Sequence, residues 1–473
     1  MQVIKNYLYN ASYQVFILLI PLITTPYLAR VLGPTGVGIN AYTNSIIQYF
    51  ILLGSIGVNL YGNRQIAFVR DDKDKMTKTF YEIFLMRIMT ITLAYAAFLI
   101  FLLLNRNYHV YYLAQSISII AAAFDVSWFF MGVENFGVTV LRNFVVKIIT
   151  LISIFVFVKS FDDLYIYIMI LSLSLLIGNM TLFPNLRRYI GKIDFKSLSI
   201  WQHLKPSMVL FIPQIATQVY LVVNKTMLGS MTSVQSAGYF DQSDKMIKMI
   251  LAIVTATGTV MLPHVANAFM KGEVEKTKQF LYNSFSFVTA LSVPMMFGIA
   301  AVAKKFVPLF FTHKFLAVTP LMMIEAVVIL LIAWSNALGT QYLLPTNQNS
   351  AFTKSVVLGA AVNIVVNIPF IMLWGALGAT LSTVLSELAV TGYQLYVLRR
   401  QVNYRSLFMD TGKYLLAGVV MFIAVFILDG RLANSWSMLI IEVVVGILIY
   451  AILLIITKAK IIKDAKKMFK NKN

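Results

Sequence analysis

The sequence predicts an all-α polytopic membrane protein of about fourteen transmembrane helices. They form two related six-helix lobes followed by two further helices. Three observations carry this reading. The chain is 59% hydrophobic and 12% charged, about half the charged share of a soluble protein, and its mean hydropathy is +0.78. Apolar runs of about 20 residues, each long enough to cross hydrocarbon, recur from end to end. A short charged motif in the first half returns in the second.

The spans fall at 8–32, 37–62, 80–104, 109–131, 139–158, 163–184, 206–228, 237–263, 279–301, 317–340, 352–374, 376–398, 414–430 and 437–457. Their connections are too short to hold a soluble domain. The N-terminal MQVIKNYLYN leads straight into a full-length span, which serves as its own insertion signal. With no cysteine there is no disulfide framework and no thiolate chemistry.

Charge sets the orientation. Of the 39 Lys and Arg, 25 lie in the segments on the side of the N-terminus, 6 in the opposite loops and 8 within spans. The positive-inside rule then puts both termini in the cytoplasm. The same asymmetry accounts for most of the net charge of +20, so no nucleic-acid partner is needed.

The repeat is AFVRDDKDK at 67–75 against AFMKGEVEK at 268–276, an offset of 201. Leu32-Gly33 answers Leu228-Gly229, and Gly38 answers Gly238 at the head of the next span. Six spans separate the copies, so both halves share one orientation. This is the parallel-repeat plan of some transporters. The lobes are 1–186 and 206–400, joined by a cytoplasmic linker at 187–205, and 401–473 is an appendage with a basic tail. Two such lobes suit alternating access through a central polar cavity. Read as a carrier, the chain is expected to be a monomer.

Charged and amide side chains inside spans are costly unless they face water, a ligand or one another. The stretch YFDQSDKMIKM places Asp241, Asp244, Lys245 and Lys248 on one helical face. Asp241 with Lys245 and Asp244 with Lys248 are i,i+4 pairs. They are either the self-paired end of a span or the charged wall of a cavity. Span 7 carries Gln214, Thr217, Gln218 and Lys225, and Lys225 has no acid within four residues. It is the better candidate for an anion ligand, assisted by Lys245 and Lys248, with Asp241 and Asp244 tuning them. Arg30 is its first-half counterpart. Asn10 and Gln14 in span 1 and Asn40, Asn44 and Gln48 in span 2 are amides suited to sugar or to helix–helix hydrogen bonds. Glu82, Arg87 and Lys147 are read as reaching the inner surface. Glu325 and Glu387 are open to a proton or cation role. The connectors 67–78 and 268–278 are expected to be interfacial helices or solvated links.

Enzymatic signatures are lacking. The acidic pair at Asp72 and Asp74 sits in a short basic loop. The four histidines have no metal spacing, and no P-loop, GxSxG or dinucleotide fingerprint occurs. A transporter without cofactor or metal is expected, with coupling to a proton, to sodium or to the membrane potential left open.

Three stretches carry a family resemblance: NYLYNASYQVFILLIPLITTPYLARVLGPTGVG at 6–38, FDVSWFFMGVENF at 124–136, and YFDQSDKMIKMILAIVTATGTVMLPHVANAF at 239–269. Together they resemble the Wzx-type polysaccharide repeat-unit flippases of the multidrug/oligosaccharidyl-lipid/polysaccharide exporter superfamily. Flippases for teichoic acid precursors look similar. The resemblance implies that superfamily's flippase fold and a place in the bacterial cytoplasmic membrane. It implies an oligosaccharide on undecaprenyl pyrophosphate as substrate, serving capsule, teichoic acid or another surface glycan, with glycan polymerase or ligase machinery as neighbours. The family often has an acid just before the basic residue of span 7. Here that residue is Asn224, which makes the Lys225 site more anion-attracting. The rivals are a drug/cation antiporter of the same superfamily and a membrane glycan polymerase. The first is disfavoured by the lack of acids in spans 1 and 2, the second by short outer loops.

Overall fold

A computed structural model of the protein describes residues 2–462, without the side chains of 2–15, 212–214, 216, 217, 219–221, 257, 259 and 260. Among the described residues every regular element is helical. The chain divides into two compact units, 1–229 and 230–473.

The first unit holds α1 (Gln2–Ser55), α2 (Val58–Val69), α3 (Lys73–Leu104), α4 (His109–Ala123), α5 (Ser127–Gly132), α6 (Phe136–Phe157), α7 (Leu164–Met180), α8 (Phe183–Leu186) and most of α9 (Leu204–Met231). At about 1.5 Å per residue, α1 is long enough for two crossings. It is two helices meeting at Gly33, whose φ of 64° and ψ of −177° interrupt the helical path. Glycine adopts that conformation without the clash a side chain would bring. Pro34 follows, at a helix start where its missing N–H costs nothing. The expected spans 1 and 2 therefore join at one residue, without an intervening loop. A second break at Ile56 and Gly57, both with positive φ, ends α1 before α2.

Span 4 is also broken, between α4 and α5. The Asp125 carboxylate accepts from the Ser127 amide at 3.0 Å and its hydroxyl at 2.5 Å. Arg87, 2% exposed, enters this break from α3. It donates to the Ala122 carbonyl and to Asn59, both at 2.6 Å, and reaches Asp125 at 3.4 Å. Arg87 is thus a buried hub rather than a side chain reaching the surface. The aromatic part of 124–136 is core: Trp128 stacks on Phe80 at 5.7 Å. A methyl group at Gly62 would come within 2.5 Å of the Trp128 ring, so this face of α2 must be bare.

Glu82, also expected to reach the surface, is buried. It accepts from the Ser199 amide at 2.7 Å and from Gln202 at 2.9 Å, and meets His203 Nε2 at 2.9 Å. The other ring nitrogen of His203 is 2.7 Å from the Tyr61 hydroxyl. Ser207 donates to the Ile56 carbonyl at 2.5 Å, and Ser45 bonds Thr226 at 2.8 Å. These bonds tie the connection and α9 to the first unit. The first unit accordingly includes the connection and runs to residue 229.

The second unit holds α10 (Val234–Met270), α11 (Val274–Phe310), α12 (Val318–Glu325), α13 (Val327–Ser335), a π-helical stretch (Asn336–Leu343), α14 (Asn349–Trp374), α15 (Ala376–Leu398), α16 (Tyr404–Leu407), α17 (Thr411–Asp429) and α18 (Trp436–Ile456). The repeat is visible in local structure. α2 ends at Val69 and α3 begins at Lys73; α10 ends at Met270 and α11 begins at Val274, the same offset of 201 that relates the two motifs. Both connectors are three-residue turns between helices. Asp72 caps α3 by accepting from the Lys75 amide, a bond that holds its carboxyl below the usual range. Gly272 provides the positive φ of the second turn.

By length and composition, ten helical segments among the described residues can cross a membrane, or eleven if the bent pair 234–256 and 261–270 is one span. The appended α17 and α18 are fixed to α11 by polar bonds. Tyr450 donates to the Ala290 carbonyl at 3.0 Å, and Ser286 meets the Tyr414 hydroxyl at 3.0 Å. Lys305, 4% exposed, contacts Glu442 and lies 3.6 Å from Asp429. Removing the cation from a buried ion pair leaves uncompensated charge at a cost of about 3–5 kcal/mol. Lys305→Met should therefore lower the thermal midpoint in detergent markedly, and replacing Glu442 and Asp429 by leucine as well should restore most of it. An unchanged midpoint for Lys305→Met would remove the triad from the account of stability.

Candidate functional site

The α6 stretch LRNFVVKIIT is apolar except for a stripe. Arg142, Asn143, Lys147 and Thr150, with Val146 among them, follow the spacing of one helical face. In the first unit this face lines a cavity of about 270 Å³. Opposite it, α1 contributes Asn40, Asn44 and Gln48, and α4 contributes Gln115 and Ser118. α7 adds Ser172 and Ser174. No carboxylate is among the residues lining this cavity.

The cations are supported differently. Arg142 donates to the Asn179 side-chain oxygen at 2.8 Å, and Asn179 in turn donates to the Ala121 carbonyl at 2.7 Å. The guanidinium is therefore held at a fixed place by a buried amide anchored to α4. Lys147 makes no hydrogen bond or ion pair with a described residue, and the same holds for the amides of Asn44 and Gln48. Gln115 donates to Asn40 Oδ1 at 3.0 Å, and Ser118 to Ser172 at 3.1 Å. The walls are thus braced by some polar groups while others stay available. A pair of cations beside amides and hydroxyls, in a lining without a carboxylate, suits an anion that also carries hydroxyls.

The expected residues are distributed as follows. Asn40 and Asn44 line this cavity. Gln218 lines a second cavity of about 260 Å³ in the same unit. Lys225 is half-buried on α9 beside the buried Asn224. Arg30 is exposed and donates to the Pro26 carbonyl at 2.9 Å. Asn10, Gln14 and Gln214 lie outside the described side chains. The four charges of α10 belong to the second unit and pair as their spacing predicts. Lys245 meets Asp241 at 2.5 Å and Lys248 meets Asp244 at 2.7 Å. The carboxylates point inward and the ammonium groups outward. Between the two acids, Ser243 donates to the buried Glu325 of α12 at 2.5 Å. Sequence reasoning missed Arg142 and sent Lys147 to the inner surface. The stripe that would have found both is plain in the α6 sequence once the two cations are read together with Asn143 and Thr150.

The family model described as polysaccharide biosynthesis protein matches residues 3–269, more than half of the chain. The chain belongs to this family. A relative in Escherichia coli (strain K12), carrying the provisional name O-antigen transporter, is 24% identical over 403 residues, covering 84% of this chain and 96% of that one. The fold is shared with lipid II flippase MurJ in an inward closed conformation. The TM-score is 0.75 at 15% identity, over 96% of this chain and 100% of that chain. It is also shared with an outward-facing multidrug resistance MATE family transporter of the MOP superfamily, with a TM-score of 0.57 at 13% identity over 84% of this chain and 94% of that chain. The expected superfamily fold is therefore observed.

The chain has no native cysteine, so a single introduced thiol reports one position. Asn44→Cys and Ser118→Cys should react with a water-soluble thiol reagent in native membranes. Ile47→Cys, at a position with 0% exposure, should not. Protection of Asn44→Cys together with labelling of Ile47→Cys would mean that the cavity is not open to water.

Proposed function

We propose that the protein is a flippase for an oligosaccharide linked to undecaprenyl pyrophosphate, a precursor of capsule, teichoic acid or another surface glycan. It moves this lipid from the inner to the outer leaflet of the bacterial cytoplasmic membrane by alternating access, with both termini inside. The observation that carries this reading is the Arg142–Lys147 pair in a cavity of amides and hydroxyls that no carboxylate lines. Membership of the polysaccharide biosynthesis family supports it, as do the relatives named as transporter and flippase.

The physical task explains the chemistry. A pyrophosphate and its sugars lose their hydrogen bonds on entering hydrocarbon, at several kcal/mol for each unpaired polar group. Arg142 and Lys147 replace water around the phosphates, and the α1 amides replace it around the hydroxyls. Lys225 is a further cation for the same headgroup. The polyprenyl chain is as apolar as the bilayer and can stay in lipid. An anion leaving a negative interior also gains about 2.3 kcal/mol per charge per 100 mV, so the membrane potential can drive export without a nucleotide. A drug/cation antiporter would need an acid where this cavity presents cations, which argues against that rival.

The test is translocation in proteoliposomes carrying the undecaprenyl-pyrophosphate oligosaccharide in both leaflets, with an external glycosidase reporting the exposed pool. Wild type should expose the protected half. A hydrogen bond to a charged group contributes about 1.5–3 kcal/mol, so the double variant Arg142→Ala/Lys147→Ala should slow exposure at least about tenfold. Lys225→Ala should also slow it. If wild type leaves the lipid in place yet accumulates an organic cation against a sodium or proton gradient, the protein is an exporter of a different cargo.

A further inference from the structure

The two cavities of the first unit share one residue. Gln48 lines the cationic cavity and also lines the second one. From Gln48 the second cavity runs along the same face of α1 past Ile51, Leu52 and Ser55, and beyond the break at Gly57 to Asn59. Asn40, Asn44, Gln48 and Ser55 lie within one arc of the helix. Asn40 to Ser55 spans about 22 Å at 1.5 Å per residue, most of the thickness of a hydrocarbon core.

The two ends differ in chemistry. The cationic end has Arg142 and Lys147. The second end has no charged lining residue; Gln48, Ser55 and Asn59 on the α1 and α2 side and Gln218 on α9 are set among the apolar Ile51, Leu52, Phe211 and Val222. Hydrogen-bonding groups set among apolar side chains on both sides match a sugar ring, with its hydroxyl edge and its apolar face. The ends are also held rigid from outside. Arg142 is fixed by Asn179, and Asn59 by the buried Arg87. The shared Gln48 makes no hydrogen bond with a described residue, so its amide is available at the junction.

We propose that the two cavities form one elongated site, in which Gln48 governs how many sugars the substrate can carry past the phosphate subsite. This rests on the flippase reading above. The phosphates occupy the Arg142–Lys147 end. The first sugar lies at Asn40 and Asn44, and later sugars cross Gln48 into the uncharged end. Gln48 is therefore a specificity-determining residue for glycan length. A short headgroup needs only the cationic end, and a long one needs both.

The experiment compares two undecaprenyl-pyrophosphate lipids, one bearing a single sugar and one a tetrasaccharide, in the same proteoliposome assay. Wild type, Gln48→Leu, Gln48→Trp and Gln48→Asn are each normalised to folded, incorporated protein by thermal midpoint. Gln48→Leu removes the amide at nearly constant size, and Gln48→Trp fills the junction. In both, the rate for the tetrasaccharide lipid relative to the single-sugar lipid should fall at least fivefold from the wild-type ratio. Gln48→Asn should recover part of it. An unchanged ratio in Gln48→Leu and Gln48→Trp, whether both rates fall together or neither falls, overturns the proposal. If wild type moves neither lipid, the flippase reading itself fails, which is a separate result from a wild type that moves both with a ratio insensitive to position 48.

Discussion

A fixed positive charge inside a membrane span needs an acid, a carbonyl, water or a ligand, because hydrocarbon offers none of these. Where each cation of this protein finds its partner organises the rest of the structure. Arg87 takes Asp125, Asn59 and the Ala122 carbonyl, and so fixes the broken span 4 and the first turn of α2. Lys305 takes Glu442 and Asp429, and so fixes the two appended helices to α11. Lys245 and Lys248 take acids one turn earlier on their own helix. The charges of Arg87 and Lys305 are consumed by the fold. Lys147 is different: it faces a polar cavity and has no such partner among the described residues.

That contrast separates scaffold from site. Buried ion pairs add little net stability over apolar packing, yet losing one member is costly, which makes them effective locks. The first unit has one such lock, Arg87 with Asp125, and beside it a buried hydrogen-bonded cluster of Glu82 with Ser199, Gln202 and His203. The face of α1 that bears Asn40, Asn44, Gln48 and Ser55 belongs to the same unit. Rigid walls matter for a receptor whose ligand is large and hydrated, because binding energy is otherwise lost in ordering the site. The helix breaks at Gly33 and Gly57 bound this face at both ends and set the length available to a headgroup.

Much of the fold was legible because membrane spans obey a simple rule of length and apolarity. The repeat was legible too, although α3 and α11 begin at Lys73 and Val274, inside the stretches 67–78 and 268–278 read as connectors. What the sequence hid was the pairing of charge across helices. Arg87, Glu82 and Lys147 look alike in a hydropathy profile, each a lone charge in or near a span. Only the three-dimensional partners divide them into two buried, hydrogen-bonded groups and one cavity-lining residue. The i,i+4 pairs of α10 were readable because both members lie on one helix, whereas the Lys305 triad joins α11 to α17 and α18, more than 100 residues further along the chain. The join at Gly33 was hidden for another reason: a Gly-Pro pair reads equally as a loop or as a single-residue break. The candidate site was half legible. Its amides at Asn40 and Asn44 were singled out, but its cations on α6 were not.

The central claim is that the α6 cations hold the phosphates of the transported lipid. It is tested most directly by equilibrium binding in lipid nanodiscs, free of any question of transport rate. The affinity for an undecaprenyl-pyrophosphate glycan would be measured at one fixed salt concentration, for wild type and for Arg142→Ala/Lys147→Ala. Two lost charge-assisted contacts predict at least about a tenfold weaker Kd. Equal affinity in the two proteins would contradict the account and move the phosphate site elsewhere in the chain.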